Sequence, residues 1–197
     1  MSERDPAIGL LEFESIAVGI DAGDAMVKAA PVGSIYAGTV HPGKYLVLVS
    51  GDTASVEIAL DVARDGALGE LFLPDVHPAV PDAMVAGNAA ATGDESLGVI
   101  ETTTVSAAVV AADAGMKAAM VDLAAIRLAD GLGGKGYVLF AGTVAEVEAA
   151  LEAATGRLDA AVVVATALIP QLHPEMAANL DADLRFSRRI ARREKER

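Results

Sequence analysis

Three histidines, His41, His77 and His173, are the side chains best suited to chemistry in this sequence. Imidazole binds metal ions and transfers protons near neutral pH. Neither a Glu-x-x-His nor a His-x-x-x-His pairing occurs, so no helical zinc motif is indicated. His77 and His173 each precede a proline at the end of an apolar stretch, and this position predicts a structural or interfacial role for both.

A glycine-rich loop, 130–136 (DGLGGKG), suggests phosphate binding at first sight. A P-loop, however, needs Ser or Thr after its Gly-Lys pair and a helix directly behind it. Here Lys135 precedes Gly136 and a predicted strand, so the loop is predicted to be a hairpin whose glycines allow close approach to another segment. No GxSxG motif occurs, and no acid, base and nucleophile converge on a recognisable motif. The sequence therefore predicts a protein that is not an enzyme.

The elements that carry these residues occur twice, because the chain is one small domain written in tandem. Ordered Gly, Glu, Asp, Lys and His matches pair segments of the two copies: 8–15 with 97–104, 24–30 with 113–119, 43–51 with 134–142 and 73–78 with 169–174. Such internal repetition decides the fold before any single motif does.

Each copy is predicted to have the order β-α-β-β-α-β, with helices on one face of an antiparallel-containing sheet. The first helices are predicted to begin after the capping residues Ser15 and Thr104. The predicted strands are 7–14, 34–40, 45–49 and 70–73 in the first copy and 97–103, 123–129, 137–141 and 160–169 in the second. The second helices are predicted at 52–66 and 143–154. The predicted fold class is α+β, with two tandem ferredoxin-like units.

The predicted organisation is a first domain at 1–88, a linker at 89–96, a second domain at 97–176 and a basic tail at 177–197. The tail is expected to begin as a partly amphipathic helix. From Arg185 to Arg197 the net charge is +5, whereas the rest of the chain carries −18 of the total of −13. The tail is either a solvated end or a site for an acidic neighbour or encapsulated enzyme. The acidic body argues against binding nucleic acid or an anionic membrane.

Composition adds further expectations. The chain is 53% hydrophobic but only 4% aromatic, which predicts thin cores that gain from burial between subunits. There is no cysteine, so disulfide and thiolate chemistry are excluded. No secretory signal and no apolar run of membrane-spanning length is found, and a cytoplasmic location is expected.

With both copies aligned, the sequence resembles the tandem-domain shell proteins of bacterial microcompartments, and is most similar to the trimeric type of propanediol-utilization compartments. The resemblance spans about 7–174 and depends on motifs that recur in order: 8–12, 23–30, 41–45 and the strand-end His-Pro in the first copy, and 98–101, 112–117 and 133–135 in the second. The β-α-β-β-α-β order matches the unpermuted members of the family.

The resemblance implies a homotrimer whose six domains imitate a hexamer, with a pore for small polar metabolites on the threefold axis. It implies other shell proteins as neighbours at the tile edges, and a location in the microcompartment shell. The positions that match the pore loops are His41, Pro42, Gly43, Lys44, Gly131, Leu132, Gly133 and Gly134. The positions assigned to the tile edge are Lys28, Lys117, His77 and His173.

Two positions depart from the family pattern. Asp75 and Gln171 stand where single-domain relatives carry a tile-edge arginine, which favours weaker or heterotypic edges. His41 stands where the propanediol type has an iron–sulfur cysteine, so such a cluster is not expected here.

Three His41 imidazoles on the axis would suit zinc or iron, or would line the pore as a polar constriction. A plain surface histidine is the other interpretation. For the whole chain, the alternative to a shell tile is a trimeric metal- or small-molecule-binding sensor outside any shell.

Overall fold

The computed structural model describes residues 6–86 and 96–181, which form two units of the same fold. The first unit contains β1 (Ala7–Phe13), α1 (Ile16–Ala29), β2 (Ser34–Val40), β3 (Lys44–Gly51), α2 (Thr53–Ala63), β4 (Gly69–Leu73) and α3 (Ala79–Ala86). The second contains β5 (Ser96–Thr102), α4 (Val105–Ala118), β6 (Asp122–Leu128), β7 (Gly136–Gly142), α5 (Val144–Gly156), β8 (Val163–Ile169) and α6 (Pro174–Asp181).

The two sheets have the same topology. Their strand orders are β2-β3-β1-β4 and β6-β7-β5-β8, and all neighbouring strands are antiparallel. Together with the element order, this confirms the predicted α+β class and the tandem β-α-β-β-α-β arrangement. The first strand of each copy lies inside its sheet, and the last strand pairs with it at the edge of the sheet, so the following segment leaves from that edge.

Side-chain caps fix where the helices begin. The hydroxyl of Ser15 accepts a hydrogen bond from the Val18 amide at 3.4 Å, and Thr104 does the same for Ala107 at 3.2 Å. Both capping residues were predicted from their position before an apolar stretch. Asp52 and Thr143 cap α2 and α5 in the same way. The matched caps show that the two copies preserve helix starts as well as core residues.

The repeated glycine of the first strand lets a helix lie directly on the sheet. A Cβ at Gly9 would lie 2.9 Å from Leu60 and Val56, and one at Gly98 would lie 2.6 Å from Val147. Real Cβ atoms do not approach other atoms this closely, so a larger residue at either position would force the helix or its side chains to shift. The match of these glycines between the copies therefore reflects close strand–helix packing.

Buried side chains lie on both faces of the sheets. In the first unit, Phe13, Met26, Val47 and Leu60 fill the layer between sheet and helices. In the second unit, the buried apolar side chains of the equivalent layer form one continuous cluster with Ile8, Leu10 and Leu71 of the first unit. The units are therefore held together by a shared apolar core.

Some element bounds differ from the predictions. The strand predicted at 160–169 begins only at Val163, because the Asp159 side chain accepts from the Ala161 amide and holds a 3-10 turn over Ala160–Val162. Helix α3 was not predicted. The linker 89–96 lies outside the described residues except for Ser96, which opens β5. Of the tail, the structure describes α6 up to Asp181, and its Arg-rich part lies outside the described residues.

Candidate pore loops and unit seam

The first candidate pore loop is the tight connection between β2 and β3. It consists of His41, Pro42 and Gly43, all exposed, with a cis His41–Pro42 peptide. The Gly43 amide donates to the Val40 carbonyl at 2.9 Å, and Gly43 has φ of +104°, a conformation that favours glycine. The turn is thus closed by its own backbone and presents the imidazole at its tip.

The second candidate pore loop, residues 129–135, connects β6 and β7 and is four residues longer. Gly131, Gly133 and Gly134 have φ of +75°, +65° and +88°. The Ala129 amide donates to the Lys135 carbonyl at 2.8 Å and closes the base of the loop. An added Cβ at Gly131 or Gly133 would meet nothing within 4 Å, so these glycines serve the backbone conformation and not local crowding.

The structure brings the two loops together. The Asp130 carboxylate lies 3.4 Å from the His41 amide nitrogen and 3.5 Å from the imidazole Nδ1. A Cβ at Gly134 would lie 3.4 Å from the Pro42 ring. His41 and Pro42 thus lie beside Asp130 and Gly134, and the assignment of both loops to a pore stays a prediction. Asp130 was not predicted as a site residue, and its place at the start of the glycine loop was the only signal for it.

Lys44 does not extend freely from its loop. Its Nζ donates to Glu12 Oε1 at 2.6 Å, and the equivalent Lys135 donates to Glu101 at 2.8 Å. Each lysine thus joins the base of a candidate pore loop to the first strand of its own unit. Neither ion pair was predicted from the sequence, although the repeat preserves the glutamate and the lysine of each pair.

His77 and His173 occupy matching turns. The Nδ1 of His77 accepts from the Ala79 amide at 3.3 Å, and that of His173 accepts from the Glu175 amide at 3.2 Å. Each imidazole thus bonds to the first turn of the short helix that follows, α3 or α6. This contact fits the structural role predicted for these two histidines.

The lysines assigned to the tile edge differ in their contacts. Among the residues that the structure describes, Lys28 pairs with Asp24 on its own helix and with no other acid, and this hydrogen bond raises the pKa of Lys28. Lys117 pairs with Asp113 at 2.8 Å and also donates to the backbone carbonyl of Asp75 in the other unit. The second lysine therefore bridges the two units within the chain. The assignment of the four residues to a tile edge stays a prediction.

The donors near the loops decide which metal group they could hold. One imidazole and one carboxylate meet there, and the described residues contain no cluster of three His, Asp or Glu ligands. Cysteine is absent from the whole sequence, so the iron–sulfur cluster of the propanediol type does not fit this chain. Nitrogen and oxygen donors fit zinc or a similar divalent ion instead.

Comparison with known proteins identifies the fold and the family. A model of the BMC domain matches residues 7–80 and 96–172. The bacterial microcompartment shell protein PduT of Citrobacter freundii is 37% identical over 175 residues, which cover 86% of this chain and 95% of PduT. The shell protein EutK of Escherichia coli K12 is 40% identical over 62 residues, or 32% of this chain and 37% of EutK.

Structural comparison agrees with these matches. The crystal structure of a microcompartment protein from Desulfitobacterium hafniense superposes with a TM-score of 0.76 at 39% identity, covering 87% of this chain and 98% of that one. Across residues 6–86 and 96–181, no helix has both the length and the apolar character needed to cross a bilayer. The domain matches in both units and the near full-length likeness to PduT show that the chain belongs to the BMC-domain family of bacterial microcompartment shell proteins.

Proposed function

We propose that the protein is a homotrimeric, non-catalytic shell tile in which six BMC domains surround a threefold pore for small polar metabolites. The observation that carries this proposal is an asymmetry of burial between the two units. Each unit buries part of its surface against the other unit within one chain, and the repeat-equivalent surfaces are exposed. One exposed surface is on α1 and β2 and the other is on β8, so a second chain could make the same type of contact that joins the two units.

The first exposed counterpart lies on α1. Helix α4 packs against β4 of the first unit, and Val109 on this helix is fully buried. The residue at the same repeat position on α1, Ile20, is 55% exposed. Sheet edges show the same difference, since Ala125 of β6, the strand on which α3 packs, is buried, whereas the equivalent Tyr36 of β2 is exposed. The α1 and β2 side of the first unit therefore lacks its neighbour.

The other exposed counterpart lies on β8. Strand β4 contributes the buried Leu71 to the contact with α4. Its repeat equivalent in β8, Ala167, is exposed. A second chain that placed its α1 against this β8 would repeat the contact already made within the chain. Such an interface joins two different surfaces, and a head-to-tail interface of this type either closes into a ring or grows as a filament. The family resemblance favours closure at three chains.

In such a ring the two candidate pore loops of each chain would meet those of two other chains. The contact between His41 and Asp130 supports this placement, because neighbouring loops must touch to line one opening. Exposed imidazole, carboxylate and backbone groups make the loops polar. Expected partners are other shell proteins at the tile edges and, through the tail, encapsulated enzymes. The sensor alternative receives no support from the relatives that were found.

One observation favours a second function of the same loops, the binding of a metal ion on the threefold axis. An ionised carboxylate only accepts hydrogen bonds, so the 3.5 Å contact with Asp130 favours the tautomer of His41 that carries its proton on Nδ1. Nε2 is then free to ligate, and a carboxylate on the other ring nitrogen is typical of metal-binding histidine. Three copies would provide the three nitrogen ligands of an open zinc site.

The native mass of the purified protein tests the ring. We expect a mass of three chains, and we expect Ile20→Glu to reduce it to one chain. Ile58→Glu is the matched control, because Ile58 is also an exposed apolar helix residue but its repeat equivalent, Ala149, is exposed as well. A wild-type monomer, or equal dissociation in both variants, would contradict the ring. Sheets or tubes at high protein concentration would distinguish a tile from an isolated trimer.

A further inference from the structure

A polar cluster fastens the two units of the chain to each other, and its central residue is Asp113 on α4. One carboxylate oxygen, Oδ1, accepts from the backbone amide of His77 at 2.8 Å, and the other, Oδ2, accepts from Lys117 at 2.8 Å. Lys117 also donates to the backbone carbonyl of Asp75. The helix of the second unit thus holds the segment that follows β4 of the first.

Asp113 is nearly buried, and its carboxylate is fully hydrogen-bonded. The Asp113 side chain is only 9% exposed, and both of its oxygens accept hydrogen bonds. A buried carboxylate is tolerated when it is paired and hydrogen-bonded in this way. The groups it holds on the first unit are backbone atoms only. The contact therefore does not depend on which side chains occupy positions 75 and 77.

The repeat provides the same groups a second time, but no contact between Asp24 or Lys28 and residues 171–173 is found within the described part of the chain. On α1, Asp24 and Lys28 match Asp113 and Lys117, and Oδ2 of Asp24 pairs with Lys28. Oδ1 of Asp24 has no hydrogen-bond partner among the described residues, and the side chain is 55% exposed. After β8, Gln171 and His173 match Asp75 and His77. The His173 amide donates to none of the residues that the structure describes.

We infer that Asp24 and Lys28 of one chain bind the 171–173 segment of a second copy, in the same way as Asp113 and Lys117 bind residues 75–77 within the chain. Asp24 Oδ1 accepts from the backbone amide of His173 in the second copy, and Lys28 donates to the backbone carbonyl of Gln171 there. This inference rests on the proposed ring and assigns the residues of its seam, the contact of Asp24 and Lys28 with residues 171–173 of the next chain. It places Lys28 and His173 inside one ring, whereas the family resemblance assigned them to the edge between rings.

The inference also explains how the seam tolerates sequence change. Asp75 and Gln171 differ in charge, yet each offers the same carbonyl oxygen to a lysine. His77 and His173 use their imidazoles to bond the following helix, so only their amides face the seam. Three internal and three intermolecular seams of one ring can therefore have the same hydrogen bonds without having the same side chains.

Cysteine cross-linking of the full chain tests the seam, because the protein contains no cysteine. In the double variant Asp24→Cys/His173→Cys, the thiols lie in adjacent chains where the carboxylate met the amide, within the reach of a disulfide. We expect oxidation to give a band of three chains on a denaturing gel, which reductant converts to one chain. The internal pair Asp113→Cys/His77→Cys should link within one chain, and Asp24→Cys/His77→Cys should not link.

The outcomes separate the seam from the ring. A native trimer without the Asp24–His173 cross-link would overturn the seam and leave the ring standing, whereas a native monomer would overturn the ring itself. As a second variant, Asp24→Ala should raise the concentration at which the trimer dissociates by roughly tenfold or more, because a charge-assisted hydrogen bond is lost. Glu57→Ala, at an exposed position on α2, should leave that concentration unchanged, and an equal effect of both would contradict the seam.

Discussion

Glu12 and Lys44 form an ion pair of 2.6 Å whose carboxylate is only 4% exposed, whereas the side chains of the repeat-related pair, Glu101 and Lys135, are 35% and 48% exposed. The surroundings cause this difference. Gly69 of the same unit and Ser106 of the other unit lie beside Glu12, whereas Glu101 is only partly buried among the described residues. In the proposed ring, a second chain would cover Glu101 in the same way.

The two ion pairs therefore make a prediction that depends on assembly. Glu12→Ala should lower the free energy of unfolding by about 3 kcal/mol in any state, because it leaves a lysine amine without its buried partner. Glu101→Ala should cost at most about 1 kcal/mol in dissociated chains, where its pair is exposed, and approach the cost of Glu12→Ala in the assembled protein. Urea unfolding at protein concentrations above and below dissociation measures both. A concentration-independent cost for Glu101→Ala would contradict the proposed cover.

The close strand–helix packing predicts the effect of adding one methyl group. Gly98→Ala should destabilise the protein by about 1–3 kcal/mol, because the new Cβ would overlap Val147 and crowd Leu151. Gly38→Ala is the control, since a Cβ at Gly38 in β2 meets nothing within 4 Å. Thermal or urea unfolding of the two variants checks the difference. Equal stabilities would show that the helix shifts to make room.

Much of this fold could be predicted from the sequence, because a repeat tests each assignment twice. Strand β2 was predicted at its observed bounds, and the caps Ser15 and Thr104 were predicted from type and position. Helix α3 was missed because Pro81 in its first turn and the small residues around it resemble a loop. It forms because its apolar side packs on β6 of the other unit, a contact that no local pattern records.

The candidate site was predicted only in part. His41, Pro42 and the loop glycines were identified by alignment, and the structure brings the two loops together. Asp130 and the two glutamates were missed, since a single carboxylate in an acidic sequence carries no local signal. Likewise, the sequence marks Asp113 as a repeated residue without showing that it bonds the His77 amide across the units. Such partners depend on tertiary distances.

Acid should weaken the cap of α2. The Ser55 hydroxyl and amide bond to the Asp52 carboxylate and lower its pKa below 3.8. A carboxylate whose pKa is lower in the folded than in the unfolded state stabilises the fold. This stabilisation is fully present above the pKa of the unfolded state and is lost as the pH falls through the pKa of the folded state. Asp52→Asn keeps a capping side chain without this titration, so its unfolding free energy should fall less than that of the wild type below about pH 4. Urea unfolding between pH 5 and 2 measures the difference, with Glu57→Gln on the same helix as control. A similar flattening in the control would contradict the assignment to the cap.

Metal content tests the proposed metal site at the threefold axis. We expect the tag-free trimer, dialysed against zinc and then against buffer, to retain one zinc ion for every three chains, because one axis offers one set of three His41 nitrogens. His41→Ala should abolish retention, and Asp130→Asn should weaken it roughly 10- to 100-fold by releasing the imidazole from its orientation. His173→Ala is the matched control, since that imidazole bonds only the start of α6. Zinc at one ion per chain, or its retention by His41→Ala, would place the metal elsewhere. A metal-free trimer would leave His41 as a polar group of the pore, and His41→Ala should then change the passage of small polar solutes through assembled tiles.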